Sequence, residues 1–169
     1  HFWDSDVAKW MEGAAYFIGR GYNEFTERME YLIDGLIENQ MEDGYFNIYF
    51  TVVKPEARWS CRDWHELYCA GHLMEAAVAY SEARGKNDLV DCMEKYADYI
   101  YRVFVEEESA AFVSPGHEEI ELALVKLYRT TGNKLYLDMA ERFINIRGKK
   151  GGSYRIQEHK PVREQYEAV

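Results

Sequence analysis

Gly85 and Gly132 each close one apolar helical run and precede another, and the two units superimpose at an offset of 47 residues. Under that offset Ala76 falls on Ala123, Val78 on Val125, Asp91 on Asp138, Glu94 on Glu141 and Lys95 on Arg142. A helix–turn–helix unit cannot bury its apolar face alone, so recurrence at this period means a toroid or solenoid of stacked hairpins. Three hairpins are visible, and Pro161-Val162-Arg163-Glu164 reads as the opening of a seventh helix. The fold class expected is all-α.

The first helix has Ser5 or Asp6 as its cap and Val7, Trp10, Met11, Ala14 and Ile18 at helical spacing. Asn23 is placed to cap the second, whose apolar stripe is Phe25, Met29, Leu32 and Leu36. Asp43-Gly44 breaks the pattern. The aromatic and β-branched stretch 45–53 then predicts a short strand or extended loop, ended by Lys54-Pro55. Asp63-Trp64-His65-Glu66 has the spacing of a capping box. The helix after it, running to about Ala83, carries Leu67, Met74, Ala77 and Val78 on one stripe and His65, Cys69, His72, Ala76 and Ala79 on the other. Neither is a charged solvent face, so this helix is expected to be buried on both sides. Asn87 to about Val105 is amphipathic, and Gly116–Thr131 with Asn133–Arg147 repeats the arrangement.

Composition excludes several classes. Twenty Lys and Arg against thirty Asp and Glu give a net charge of −10, the wrong sign for binding nucleic-acid phosphates. No apolar run reaches the ~18 residues of a membrane helix. With 47% hydrophobic residues, a packed core is within reach. Three widely spaced cysteines, Cys61, Cys69 and Cys92, read as reduced thiols and a cytoplasmic location. The chain opens on His1-Phe2-Trp3 without an initiator Met, and the expectation is a chain truncated at both ends.

Among residues able to do chemistry, His65, Cys69 and His72 stand at i, i+4 and i+7. Two imidazoles and a thiol on one stripe can hold a divalent metal; the plainer reading is a set of hydrogen-bonded groups lining a cleft. His117 opens another buried helix within Pro115-Gly116-His117-Glu118-Glu119, as a structural histidine or as a ligand contact beyond the helix N-terminus. Asp4 with Asp6 complements a helix dipole, and Glu106-Glu107-Glu108 reads as a solvated face. A phosphate-binding loop and a serine nucleophile elbow are both missing from the sequence.

Several blocks resemble glycoside hydrolase family 127: 2–10 (Phe-Trp-Asp-Ser-Asp-Val-Ala-Lys-Trp), Asp43-Gly44-Tyr45-Phe46-Asn47, His65-Glu66-Leu67-Tyr68-Cys69-Ala70-Gly71-His72, 115–122 and His159-Lys160-Pro161-Val162-Arg163-Glu164-Gln165. They follow the family's order along the whole chain. The resemblance implies an (α/α)6 barrel, with inner helices lining a sugar pocket, and retaining cleavage of terminal β-L-arabinofuranosides. It implies sugar binding by His65 and His117, with His159 a weaker member of the same pocket. It also implies zinc in the full-length enzyme, bound to a nucleophilic cysteine, with ligands and catalytic glutamate outside this chain. No role of that kind falls on Cys61, Cys69 or Cys92, no catalytic residue is assigned here, and none of the zinc is expected to bind this segment. Phe46 and Ile48 depart from the family's common Asp-Gly-Tyr-Leu-Asn-Thr-Tyr-Phe.

On this reading residues 1–169 are about half of a six-hairpin ring, and the apolar faces left at its ends invite self-association or association with the missing half. The carbohydrate is the expected partner, with neither nucleic acid nor membrane. A different class of function is a helical-repeat module that binds a protein through an exposed, charged concave face. A third reading leaves the histidines as satisfiers of buried backbone groups.

Overall fold

The computed structural model describes residues 2–147 and 149, and contains six α-helices joined by short irregular segments. They are α1 (Trp3–Ile18), α2 (Thr26–Asn39), α3 (Glu66–Arg84), α4 (Asp88–Tyr101), α5 (Glu119–Thr131) and α6 (Lys134–Ile146). α3 packs against α1 on one side and α5 on the other, which makes α1, α3 and α5 an inner wall. α2 and α4 touch one another on the outside, and α6 packs on α5. Among the described residues there is no sheet, and no helix is long and apolar enough to cross a membrane. His159 and the expected seventh helix at Pro161 lie outside the described residues.

The burial expected of α3 is present. Leu67, Leu73, Met74, Ala77 and Val78 are buried on one side and Cys69, Ala76 and Ala79 on the other. Gly71 is the closest approach of α3 to α5: a Cβ there would lie 2.8 Å from Glu119 Cγ and 3.2 Å from the Ile120 Cα. Gly85 and Gly132 end their helices in the left-handed conformation, at φ 67° and 76°, where a Cβ is costly. Asn133 caps α6 by accepting from the Leu135 N–H at 3.1 Å.

Three local expectations are corrected. The first helix starts at Trp3, ahead of the expected caps: Ser5 is fully buried and donates to the Phe2 carbonyl, while Asp4 accepts from the Ile48 N–H at 2.9 Å. Asn23 opens a single 3-10 turn before α2 and donates its amide to Gly21 O. The strand or extended loop predicted at 45–53 is irregular through 47 and then winds into a π-helical turn over Tyr49–Val53. Asn47 starts that turn by accepting from the Phe50 N–H. A strand needs a neighbour to pair with, and here the free amides are taken by Asp4 and Asn47 side chains instead.

The capping box is the fourth correction. Asp63 belongs to a separate 3-10 turn (Arg62–Trp64), and Glu66 turns inward. Its carboxylate accepts from the Tyr45 hydroxyl at 2.5 Å and the Trp59 N–H at 2.8 Å, tying two loop stretches to the start of α3. Burial raises this carboxyl to about 7.

Candidate active site

His65 stands immediately before α3 with φ 65°, a left-handed conformation that non-glycine residues adopt at a cost of order 1–2 kcal/mol. The buried Glu66 anchor on one side and the Trp64 turn on the other hold it there. The effect is to swing the imidazole past the helix end. His117 precedes α5, exposed, on a turn whose Gly116 runs against the Arg62 carbonyl, 3.1 Å from where a Cβ would be. The two imidazole centroids are 5.0 Å apart. Two residues 52 positions apart in sequence therefore share one spot at the same end of neighbouring inner helices.

Aromatic rings frame that spot. Tyr68 lies 5.1 Å from the His117 ring and 5.8 Å from His65, and Phe2 covers His65 at 5.6 Å. The Lys9 ammonium sits 4.8 Å over the Tyr68 ring. Loss of water around His65, followed by the nearby His117, lowers its pKa and keeps it neutral. A neutral imidazole offers both a donor and an acceptor, which suits vicinal hydroxyls.

Further along the wall the polar stripe continues as His72 and Glu75 from α3, Glu12 from α1, and Glu119 and Lys126 from α5. His72 Nδ1 lies 3.0 Å from Glu119 Oε1 and 3.7 Å from Glu75 Oε2. Burial first, then the Lys9 charge, lowers the His72 pKa. Burial first, then the hydrogen bond with Glu75, raises Glu119 to about 8. Glu12, His72 and Glu75 have ligand atoms within 4.8 Å of one another. The Lys126 ammonium already bridges Glu75 and Glu12, the latter at 3.7 Å, so this group carries its own cation.

The stripe facing the site is thus His65, Tyr68, His72 and Glu75, at steps of three, four and three. Cys69 is not on it: its thiol points toward Asp4 and Ser5 of α1. His65, Cys69 and His72 therefore do not form a metal cluster among the described residues, and the buried nitrogens of His72 lack the hydrogen bonds of the plainer reading. Burial raises the Cys69 thiol to about 12 and Cys92 to about 11. Among the described residues neither cysteine belongs to a cluster of metal-ligating side chains, so neither is placed for the zinc that the family resemblance implies. Sequence reasoning missed Tyr68, Glu75, Glu119 and Lys126. The 3-4-3 spacing from His65 was the available signal for the first two.

A cavity of about 750 Å³ lies elsewhere, between α1, α2 and residues 46–52, with Asp4, Tyr31, Phe46 and Val52 in its wall. Beside it Trp3, Val7, Trp10, Ile48, Val52 and Val53 are exposed, an apolar face on the first hairpin.

Comparison with known proteins bears on the whole chain. The β-L-arabinofuranosidase GH127 catalytic domain matches residues 1–169. A non-reducing end β-L-arabinofuranosidase from Bifidobacterium longum subsp. longum is 37% identical over 162 residues, 92% of this chain and 25% of its own length. The crystal structure of a GH127 β-L-arabinofuranosidase from Geobacillus stearothermophilus T6 superimposes with a TM-score of 0.84 at 48% identity, covering 89% of this chain and 24% of that one. A second GH127 β-arabinofuranosidase structure gives 0.78 at 34% identity, covering 94% and 27%. The chain spans about a quarter of the length of these relatives, and its hairpins are those of their (α/α)6 barrel. Sequence and fold agree from one end of the match to the other: this chain belongs to the GH127 β-L-arabinofuranosidase family, as an N-terminal portion of its catalytic domain.

Proposed function

We propose that this chain supplies part of the sugar pocket of a glycosidase that removes terminal arabinofuranosyl residues. The observation carrying this is the pair of imidazoles 5.0 Å apart where α3 and α5 begin. His65 is kept in a strained backbone conformation to reach that spot, and strain of this kind gathers where ligands are bound. Neutral His65 and exposed His117 hydrogen-bond the ring hydroxyls, while the Tyr68 and Phe2 rings offer apolar surface to the sugar's C–H face. His159 joins the same pocket, and the 1–169 segment is one part of the barrel.

The nucleophile, the acid/base glutamate and any zinc belong to other parts of the enzyme. The zinc would supply a metal-held thiolate, and neither Cys69 nor Cys92 stands in a cluster of metal-ligating side chains. The exposed face around Trp3, Trp10 and Val52 is where the rest of a barrel, or another copy, packs. The wide spacing of Cys61, Cys69 and Cys92, read as reduced thiols, supports a cytoplasmic location. A protein-binding module would need charges offered outward, whereas Glu12, Glu75 and Lys126 are paired with each other.

Titration with methyl β-L-arabinofuranoside tests the pocket. His65→Ala and His117→Ala should each lose most of the affinity while melting as the parent does. Unchanged affinity in both contradicts the reading, and equal losses of stability and binding return the histidines to a structural role. The 169-residue chain should not hydrolyse p-nitrophenyl β-L-arabinofuranoside; robust turnover would mean that its catalytic groups lie within it.

A further inference from the structure

The geometry points to His72 and Glu119 as positioning residues: their contact beneath the pocket fixes the Tyr68 ring, and with it the His65–His117 pair that receives the sugar. The inference rests on the pocket reading above and adds two residues that do not touch the sugar themselves.

Three observations support it. The His72 ring stands edge-on to Tyr68 at 4.5 Å and 88°, and Tyr68 in turn abuts both pocket imidazoles. The two half-buried rings are in direct contact, so the position of His72 sets where the Tyr68 ring can rest. Next, Glu119 is two residues from His117 at the start of α5, against Gly71, where no side chain intervenes between α3 and α5. Only Glu118 separates Glu119, the first residue of α5, from His117, so a displacement of the helix start carries His117 with it. Finally, the His72 nitrogens are buried and neither has a well-aligned hydrogen bond, although Nδ1 is 3.0 Å from Glu119 Oε1. A protonated Glu119 can share its proton with Glu75 and rest its Oε1 against the buried edge of His72 without placing a second carboxylate charge there.

The charged and titratable groups around the pair are Lys9 and Glu12 from α1, Glu75 from α3, and Lys126 from α5. Lys126 is already engaged by Glu75 and Glu12. Ionising Glu119 therefore adds an uncompensated negative charge beside Glu75, loosening the α3–α5 contact. Glu119 remains protonated up to about 8, so sugar affinity should fall as pH rises through that value.

The experiment is a methyl β-L-arabinofuranoside titration of the 169-residue chain at pH 7 and pH 9, for the parent, Glu119→Gln, Glu119→Ala and His117→Ala. The parent should lose about tenfold in affinity, a factor set by roughly one hydrogen bond. Glu119→Gln, whose amide stands in for the protonated acid, should match the parent at pH 7 and keep that affinity at pH 9. Glu119→Ala should be weak at both. A merely structural Glu119 would not make the pH dependence vanish in the glutamine variant. The inference is overturned if Glu119→Gln loses affinity with pH as the parent does, or if Glu119→Ala binds like the parent while His117→Ala does not. Should Glu119→Ala fail to fold, the comparison of parent with Glu119→Gln decides. Parent-like binding by His117→Ala would instead overturn the pocket reading itself.

Discussion

Two aromatic clusters flank the start of α3, built from the same kinds of residue and used differently. On the outer side Tyr45, Trp59, Tyr96, Tyr99 and Phe104 stack edge to face at 5.2–5.6 Å, around a Glu66 whose two oxygens are both occupied. On the inner side Phe2, His65, Tyr68 and His117 sit at similar spacing. There, the rings stay partly or fully open to solvent. In the outer cluster the Tyr45 hydroxyl, the Trp59 N–H groups and the Tyr99 hydroxyl are spent on the fold. The inner one holds its polar groups in reserve, in a backbone conformation that costs stability at His65. Closed and open aromatic clusters one residue apart, at Glu66 and His65, separate what holds the wall from what the wall presents.

If that division is right, Glu66→Ala should be the most damaging change. It strands the Tyr45 hydroxyl and Trp59 N–H and should destabilise by about 3 kcal/mol in urea unfolding. His117→Ala, an exposed position in the open cluster, should change stability by less than about 0.5 kcal/mol. Equal effects would erase the distinction. Gly71→Ala should cost about 2 kcal/mol by forcing α3 from α5. It should also weaken sugar binding, since the open cluster straddles that seam.

The pH dependence of stability sharpens the contrast further. Glu66, at about 7, and Glu119, at about 8, are raised in the folded chain. Their contribution is full below 4.5, where the unfolded carboxyls titrate, and is lost progressively as pH climbs from there to the folded values. His65 and His72, lowered from 6.5, act in the opposite sense only below that pH. Stability should therefore decline from pH 6.5 to 8, with Glu66→Gln flattening the lower part and Glu119→Gln the upper part. Melting temperatures across that range check it. Asn133→Ala, in the α6 cap remote from both clusters, should cost only about 1 kcal/mol and leave sugar affinity untouched.

The hairpin repeat was legible because it is local: Gly85 and Gly132, the apolar periodicity of α4 to α6, and the uncharged faces of α3 all lie within a few turns of the residues they organise. So was the meeting of His65 and His117, through the matched motifs. What escaped depends on partners distant in sequence. Glu66 has the spacing of a capping-box residue, but Tyr45, 21 residues earlier, and Trp59 claim it. The β-branched run 49–53 has strand composition and no strand beside it. Cys69 joins the histidines on a helical wheel, yet the tight α1–α3 contact turns it toward Asp4. Glu119 gave no sign in sequence of reaching His72, because that contact depends on the close approach at Gly71.

The most direct test follows the ring resonances of His65 and His117, with the Trp59 indole as reference, while methyl β-L-arabinofuranoside is added. Saturable shifts at both imidazoles with the indole unmoved are the result expected of an open cluster built to take a sugar. Shifts confined to other residues, or none at saturating sugar, would contradict it.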